Sequence, residues 1–244
     1  MIVERTEHPS WLSNAYLIAD REGGNGVLVD SNGINRPLLE AADRLGVTVT
    51  HVLVTHHHHD HVVTCEEDAR RFGVPVLGHP LARAHGVHVD ETIEDGDVVR
   101  SGELEIRAIA TPGHSDDHLA LLVNGTDCLT ADCLFKGTVG GCTARGMTYE
   151  IHRSSIMERL MSLPPETRIH PGHAQPSTIG EEWESNPFVR IWRGLDPEGT
   201  EPCTVGGEAA TLVLWGPDYD GTHKAWVRFA DGDQIVGGSR VTRA

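Results

Sequence analysis

Residues 55–61 read Thr-His-His-His-His-Asp-His and follow directly on the apolar, β-branched run HVLV. That run predicts a strand. Side chains two positions apart on an extended chain lie on the same side, so His56 and His58 can face one point. Asp60 and His61 fall where the next helix is predicted to begin. Imidazole and carboxylate groups in this arrangement indicate a metal site.

Three further segments place histidine or aspartate directly after a predicted strand. They are Thr111-Pro112-Gly113-His114, Ala131-Asp132 and His170-Pro171-Gly172-His173. A single histidine after a strand is more often a surface residue than a ligand, but four such segments in one chain favour a shared site. Rigid strand ends place ligands accurately. We therefore expect loops at one edge of the scaffold to bring these residues to metal.

The histidine run fits neither an expression tag nor a thermolysin-like site. Expression tags lie at chain ends, whereas this run is internal and follows a strand. A thermolysin-like HExxH site is excluded, because His58 stands where the glutamate would have to be. The 5 cysteines form no CxxC pair, which argues against a disulfide framework and against a thiolate zinc site.

Composition limits the classes of partner. The chain has 36 Asp and Glu against 20 Lys and Arg, a formal net charge of −16, which argues against a general nucleic-acid binder. We see no secretory signal and no apolar run long enough to span a membrane, so we expect a cytoplasmic protein that does not bind membranes. The expected partner is a small-molecule substrate, and homo-oligomerisation is left open.

Strands first alternate with helices, then run consecutively, then alternate again. This order predicts an α+β architecture with helices packed outside mixed sheets. After about Leu195 the character changes, with a linker-like stretch and three predicted strands. We therefore predict a main domain at 1–195 and a small β-barrel-like module at 196–244; the strands of the module are Ala209–Trp215, Thr222–Phe229 and Gln234–Val236.

The predicted module is rich in aromatic residues, namely Trp215, Tyr219, Trp226 and Phe229. They could line a ligand groove or form the core of the module. The second interpretation is favoured, because so small a unit has little else to pack.

The histidine run and the three later segments that end at His114, Asp132 and His173 resemble the metallo-β-lactamase fold superfamily, in particular its glyoxalase II-like (hydroxyacylglutathione hydrolase-like) branch. The resemblance extends over 1–190 and includes Asp30 and the segment from Thr178 to Phe188. The HxHxDH pattern is highly specific for the superfamily and much less so for any one reaction. It implies an αβ/βα sandwich with metal ions in a cleft at one edge.

The resemblance also implies a ligand set for two divalent metal ions. The first ion would be held by His56, His58 and His114, the second by Asp60, His61 and His173, and Asp132 would bridge them. Zn is the first choice for such ligands, with Fe and Mn as alternatives.

The implied activity is metal-dependent hydrolysis of a small thioester or ester. A hydroxide bridging the ions would attack the carbonyl, and Asp60 would orient the water as well as ligate. The alternatives are a mononuclear iron persulfide dioxygenase, which would use His56, His114 and Asp132, and a lactonase of the same fold. A binding protein that keeps the metal site is a further alternative, against which the intact ligand set argues.

One position departs from the glyoxalase II pattern. The loop after the bridging aspartate usually carries a basic residue that holds glutathione, and here that position is Gly141. Each lost charged hydrogen bond costs about 1.5–3 kcal/mol, so we expect a thiol carrier other than glutathione. Lys136, Arg145 or Tyr149 is the candidate to hold a different substrate.

Overall fold

In the computed structural model, which describes residues 1–143 and 147–243, the chain forms two compact units. One unit contains residues 1–110 and 117–131, and the other contains 111–116 and the chain from 132 onward. Both are made mainly of β-strands with short helices, so the predicted α+β class is confirmed.

The first unit begins with a six-stranded sheet whose strands follow one another in chain order. Its strands are β1 (Ile2–Glu7), β2 (Asn14–Ala19), β3 (Asn25–Val29), β4 (Thr48–Leu53), β5 (Val76–Gly78) and β6 (Glu91–Thr92). β1 to β3 pair antiparallel, and β3 to β6 pair parallel. The histidine run therefore leaves the sheet from a central parallel strand, β4.

A second sheet of this unit is an antiparallel meander. It contains β7 (Val98–Ser101), β8 (Leu104–Ala110), β9 (Leu119–Val123) and β10 (Asp127–Ala131). Buried side chains from both sheets, such as Leu53 and Leu121, form one apolar cluster. The two sheets thus share a core, as in a sandwich.

Helices cover the other face of the first sheet. The helices of this unit are α1 (Arg36–Leu45), α2 (His59–Val62), α3 (Cys65–Phe72) and α4 (Pro80–Ala84). Leu38 and Ala42 of α1 pack in one cluster with Leu17 and Leu28 of the sheet. The helical spacing of apolar residues and the glycine that follows predict a helix over Arg36–Leu45, and α1 has these bounds. It ends at Gly46, which takes the left-handed conformation (φ 64°) that glycine adopts without strain. The sequence pattern over Val62–Phe72 predicts one helix ending before Gly73, but in the structure that helix begins at Cys65 as α3, while Val62 closes the separate short helix α2 at the end of the histidine run.

The second unit contains short strands and helices before its main sheet. In chain order these are β11 (Leu134–Phe135), β12 (Thr138–Val139), α5 (Tyr149–Ser154), β13 (Arg168–Pro171), β14 (Ser177–Thr178), α6 (Ile179–Ser185) and α7 (Pro187–Trp192). α5 continues as a π-helical segment, Ser155–Leu160. β11 pairs with β12 and β13 with β14, both antiparallel.

The C-terminal part of this unit is a five-stranded sheet in the order β18-β17-β16-β15-β19. Its strands are β15 (Glu201–Val205), β16 (Glu208–Pro217), β17 (His223–Phe229), β18 (Gly232–Gly237) and β19 (Val241–Arg243), with a 3-10 turn at Gly238–Arg240. Three of them match the three predicted strands. Trp226 is 2% exposed, as expected of a core residue. The domain boundary at residue 195 stays a prediction.

Two general properties follow from this architecture. All 5 cysteines are buried and unbridged, in keeping with the expectation of no disulfide framework. Within the described residues, no helix is both long enough and apolar enough to cross a membrane.

Truncation of Leu121 tests the core that the two sheets of the first unit share. Leu121 is fully buried there, so Leu121→Ala should lower the free energy of unfolding by about 2–5 kcal/mol. The matched control is Val98→Ala, on strand β7 of the same meander, where the side chain is 38% exposed and the loss should stay within about 0.5 kcal/mol. Urea unfolding measures both, and equal losses would contradict the shared core.

Candidate metal centre

The histidine run lies between the end of β4 and the start of α3, and it places three imidazoles side by side. Nε2 of His56 is 3.1 Å from Nδ1 of His58. The ring of His61 lies 4.6 Å from the ring of His56, centroid to centroid. His56 and His61 are almost fully buried. Two imidazole nitrogens this close share either a proton or a cation between them.

Oxygen atoms behind these rings select which nitrogen carries the proton. Oδ2 of Asp30 is 2.9 Å from Nδ1 of His61, and the Thr55 hydroxyl is 3.0 Å from Nδ1 of His56. Asp30 also accepts hydrogen bonds from the backbone N–H and the hydroxyl of Thr55, each at 2.9 Å. An acceptor at Nδ1 leaves the lone pair on Nε2, which is the usual arrangement of a metal-binding histidine.

Asp60 occupies the first turn of α2, beside His61. Its carboxylate Oδ2 is 3.6 Å from Nε2 of His61, and its side chain is 25% exposed. It is thus the more accessible of these two groups, because the side chain of His61 has no exposed surface.

The second unit holds the remaining three predicted ligands together. One carboxylate oxygen of Asp132, Oδ2, lies 3.4 Å from Nε2 of His114 and 3.3 Å from Nε2 of His173. Nδ1 of His114 donates a hydrogen bond of 2.9 Å to the backbone oxygen of Gly141, so in the neutral ring Nε2 carries the lone pair. A lone pair facing a carboxylate oxygen is unfavourable unless a cation lies with them. The donor set therefore fits a metal ion.

Two adjacent glycines bring the backbone against this cluster. A Cβ on Gly140 would lie 1.8 Å from the backbone oxygen of Asp132, so no side chain fits there. A Cβ on Gly141 would meet nothing closer than the backbone oxygen of Ile235, at 3.5 Å, which is an ordinary contact. The backbone oxygen of Gly140 accepts a hydrogen bond of 3.1 Å from Nε2 of His152. Burial lowers the pKa of His152 to about 3, so this imidazole is neutral at physiological pH.

A buried carboxylate, Glu182, fixes the loop that follows Asp132. Its Oε2 accepts hydrogen bonds from the backbone N–H of Gly137 (2.8 Å) and from the Asn186 side chain (2.9 Å), and its Oε1 accepts one from Ser177 (2.5 Å). Glu182 and Asn186 lie in the segment that carries the family resemblance, but the sequence alone assigned them no role.

The remaining histidines of the run are engaged elsewhere. Nδ1 of His57 is 2.8 Å from the buried carboxylate of Asp117, and its ring stacks on His85 with centroids 3.8 Å apart. The ring of His59 packs edge-on against Trp11. Both stand outside the predicted ligand set.

The candidate substrate-holding residues have different surroundings. Lys136 is exposed. Tyr149 is buried against Trp226, and its hydroxyl accepts a hydrogen bond of 2.7 Å from the Trp192 indole. Tyr149 is therefore part of a packed aromatic cluster. Arg145 lies outside the described residues.

Comparison with known proteins matches residues 9–173 to the metallo-beta-lactamase superfamily. A hydroxyacylglutathione hydrolase of Chelativorans sp. is 31% identical over 71% of this chain and 81% of its own length. ETHE1 from Myxococcus xanthus superposes with a TM-score of 0.69 at 28% identity, over 80% of this chain and 92% of that one. TTHA1623, solved in a di-iron-bound form, gives a TM-score of 0.64 at 31% identity, over 76% of this chain and all of that one.

Asp30→Asn tests the hydrogen bonds behind His61. The two carboxylate oxygens of Asp30 now accept hydrogen bonds from Thr55 and His61. An asparagine has a single side-chain oxygen, so its NH2 group would face one of these donors and His61 should lose its fixed orientation. We expect metal affinity to fall about 10- to 100-fold. Competition with a chromophoric chelator measures this.

The matched control is Asp117→Asn, which changes the buried carboxylate beside His57 in the same unit. Its metal affinity should stay at the wild-type level. Equal losses in both variants would contradict a specific role for Asp30.

Proposed function

The chain belongs to the metallo-beta-lactamase superfamily as one of its hydrolases, and from this premise we propose that it hydrolyses a small thioester or ester at a two-metal centre. The observation that carries the proposal is the Asp132 oxygen, which faces Nε2 of both His114 and His173. A carboxylate so placed suits a ligand shared between two ions. The similarity to a protein solved with two iron ions supports the same number.

The proposed assignment of ligands follows the family. His56, His58 and His114 would hold the first ion, Asp60, His61 and His173 would hold the second, and Asp132 would be shared between them. The close approach of His56 to His58 and the tautomers set at His56, His61 and His114 support it. Nitrogen and carboxylate donors suit Zn first, with Fe or Mn as alternatives.

Ions held by these residues would supply a nucleophile from water near neutral pH and would stabilise the negative charge that develops on the carbonyl oxygen. The chain's own part is to hold the ligands in place and to orient the water. We assign the second task to Asp60, whose carboxylate is partly exposed beside the buried His61.

Cys65 and Cys142 are poor candidates for the nucleophile. Burial raises the pKa of the Cys65 thiol, which opens α3, and it raises the pKa of Cys142 to about 11. A thiol with a raised pKa carries little of the reactive thiolate at neutral pH. This supports attack by water.

We propose that the thiol or alcohol part of the substrate is not glutathione. The position that is basic in glyoxalase II is Gly141, and a glycine offers no charged side chain to a glutathione carboxylate. Its backbone oxygen is already engaged by His114. Among the described residues of the same loop, the exposed Lys136 is the cation that could meet an acidic group of another substrate.

A second candidate function is that of a mononuclear iron persulfide dioxygenase. The similarity to ETHE1 of Myxococcus xanthus favours the dioxygenase over a lactonase as the second candidate. It would use His56, His114 and Asp132, and it predicts one iron per chain and oxygen uptake with a persulfide. A lactonase would be distinguished by its substrate alone.

Metal content and a hydrolysis panel test the leading proposal together. The purified chain should hold two divalent ions and should cleave members of a panel of thioesters, esters and lactones. Asp132→Ala removes the shared ligand, so metal content should fall below two and kcat/KM by at least about a hundredfold. Asp117→Asn serves as the control with unchanged metal content.

Two results would contradict the leading proposal or the role of Asp132 in it. One tightly held iron per chain, with oxygen consumed in the presence of a persulfide and no hydrolysis across the panel, would replace the hydrolase by the dioxygenase. Full metal content in Asp132→Ala would contradict the bridging role.

A further inference from the structure

The hairpin turn between β16 and β17 carries an aromatic residue, Tyr219, onto a predicted metal ligand. The ring of Tyr219 stacks on the imidazole of His173, with centroids 4.2 Å apart and planes 21° from parallel. Phe135 packs edge-on against both rings, at 5.6 Å from His173 and 5.3 Å from Tyr219. The His173 ring is thus enclosed by aromatic contacts on a face and at an edge.

The turn that presents Tyr219 is internally hydrogen-bonded. Oδ1 of Asp218 accepts a hydrogen bond of 2.8 Å from the Tyr219 backbone N–H, and Oδ1 of Asp220 accepts one of 2.8 Å from the Thr222 backbone N–H. Gly221 takes a positive φ of 80°, which glycine adopts without strain. Tyr219 therefore has a defined backbone position.

A buried ion pair ties this turn to β17. Nζ of Lys224 is 3.0 Å from Oδ2 of Asp218, and both side chains are less than a tenth exposed. The same ammonium lies 5.5 Å from the centre of the Tyr219 ring, within cation–π range. Asp218 thus holds the backbone of Tyr219 with one oxygen and the cation beside its ring with the second.

We propose that Tyr219 is a positioning residue for His173, so that the C-terminal sheet forms part of the metal centre. The inference rests on the proposed function for the identity of the ligand, and on the stacking geometry for the role of the tyrosine. The rings of His61 and His114 are oriented through a nitrogen, by Asp30 and by the backbone of Gly141 respectively. At His173 the ring face is held by another ring.

The sheet itself offers a matched control. Trp215, on β16 just before that turn, stacks on His223 with centroids 4.7 Å apart and planes 21° from parallel. His223 is not a predicted ligand. Loss of either aromatic ring therefore removes a stacking contact with a histidine from the same hairpin, and only one of the two contacts involves a predicted metal ligand.

The experiment is Co²⁺ titration of metal-free, full-length protein, followed by d–d absorption, with Zn²⁺ affinity from chelator competition. Wild type should take up two ions. Tyr219→Leu should weaken one of the two ions about 10- to 100-fold and leave the second unchanged. Tyr219→Phe, which keeps the ring, should stay within about twofold of wild type, and Trp215→Leu should match wild type.

Several results would overturn the proposal. They are wild-type binding of both ions by Tyr219→Leu, an equal loss in Trp215→Leu, or an equal loss in Tyr219→Phe. If Tyr219→Leu does not fold, Asp218→Asn decides in its place: a weakened ion supports the role of the turn, and unchanged binding overturns it. A wild-type chain that takes up no Co²⁺ overturns the metal centre itself, so the two failures are distinguishable.

Discussion

The contact of one carboxylate oxygen with two imidazole nitrogens, at 3.3 and 3.4 Å in the second unit, is the constraint to which the surrounding chain is adapted. Asp132 can take this position only if the backbone after it turns sharply and lies close, which is why Gly140 stands there without a side chain. The buried carboxylate of Glu182 then holds the following loop through the backbone of Gly137. The packing of this loop and the position of the Asp132 carboxylate therefore depend on each other.

A second principle is control of histidine tautomers through oxygen atoms that lie behind the predicted ligands. Each of His56, His61 and His114 meets an oxygen at Nδ1, supplied by a hydroxyl, a carboxylate and a backbone carbonyl respectively. The acceptors differ in chemistry, yet each of them leaves the lone pair of the neutral imidazole on Nε2. At His173 the proposed positioning group is a ring from the hairpin of the C-terminal sheet, because Tyr219 stacks on the face of the imidazole.

Local patterns predicted much of this protein because they report on local physics. The bounds of α1 follow from helical periodicity and a terminal glycine, and the histidine run indicates a metal site through residue type and spacing alone. The roles of Asp30 and Tyr219 were not predicted, because they depend on the partners His61 and His173, which lie 31 and 46 positions away in the chain. No periodicity encodes such pairings. The predicted helix over Val62–Phe72 begins only at Cys65, with Val62 in a separate short helix, and the local sequence pattern gave no sign of this break.

Gly140 and Gly141 look alike in the sequence and differ in what they permit. The backbone excludes any side chain at the first, whereas at the second the nearest obstacle to a Cβ is 3.5 Å away. Steric hindrance therefore does not account for the missing basic group of the glyoxalase II pattern. A single substitution at Gly141 could introduce a side chain beside the predicted ligands while Gly140 keeps its close approach to Asp132, so the contacts to a substrate can be altered independently of the backbone that supports the ligands.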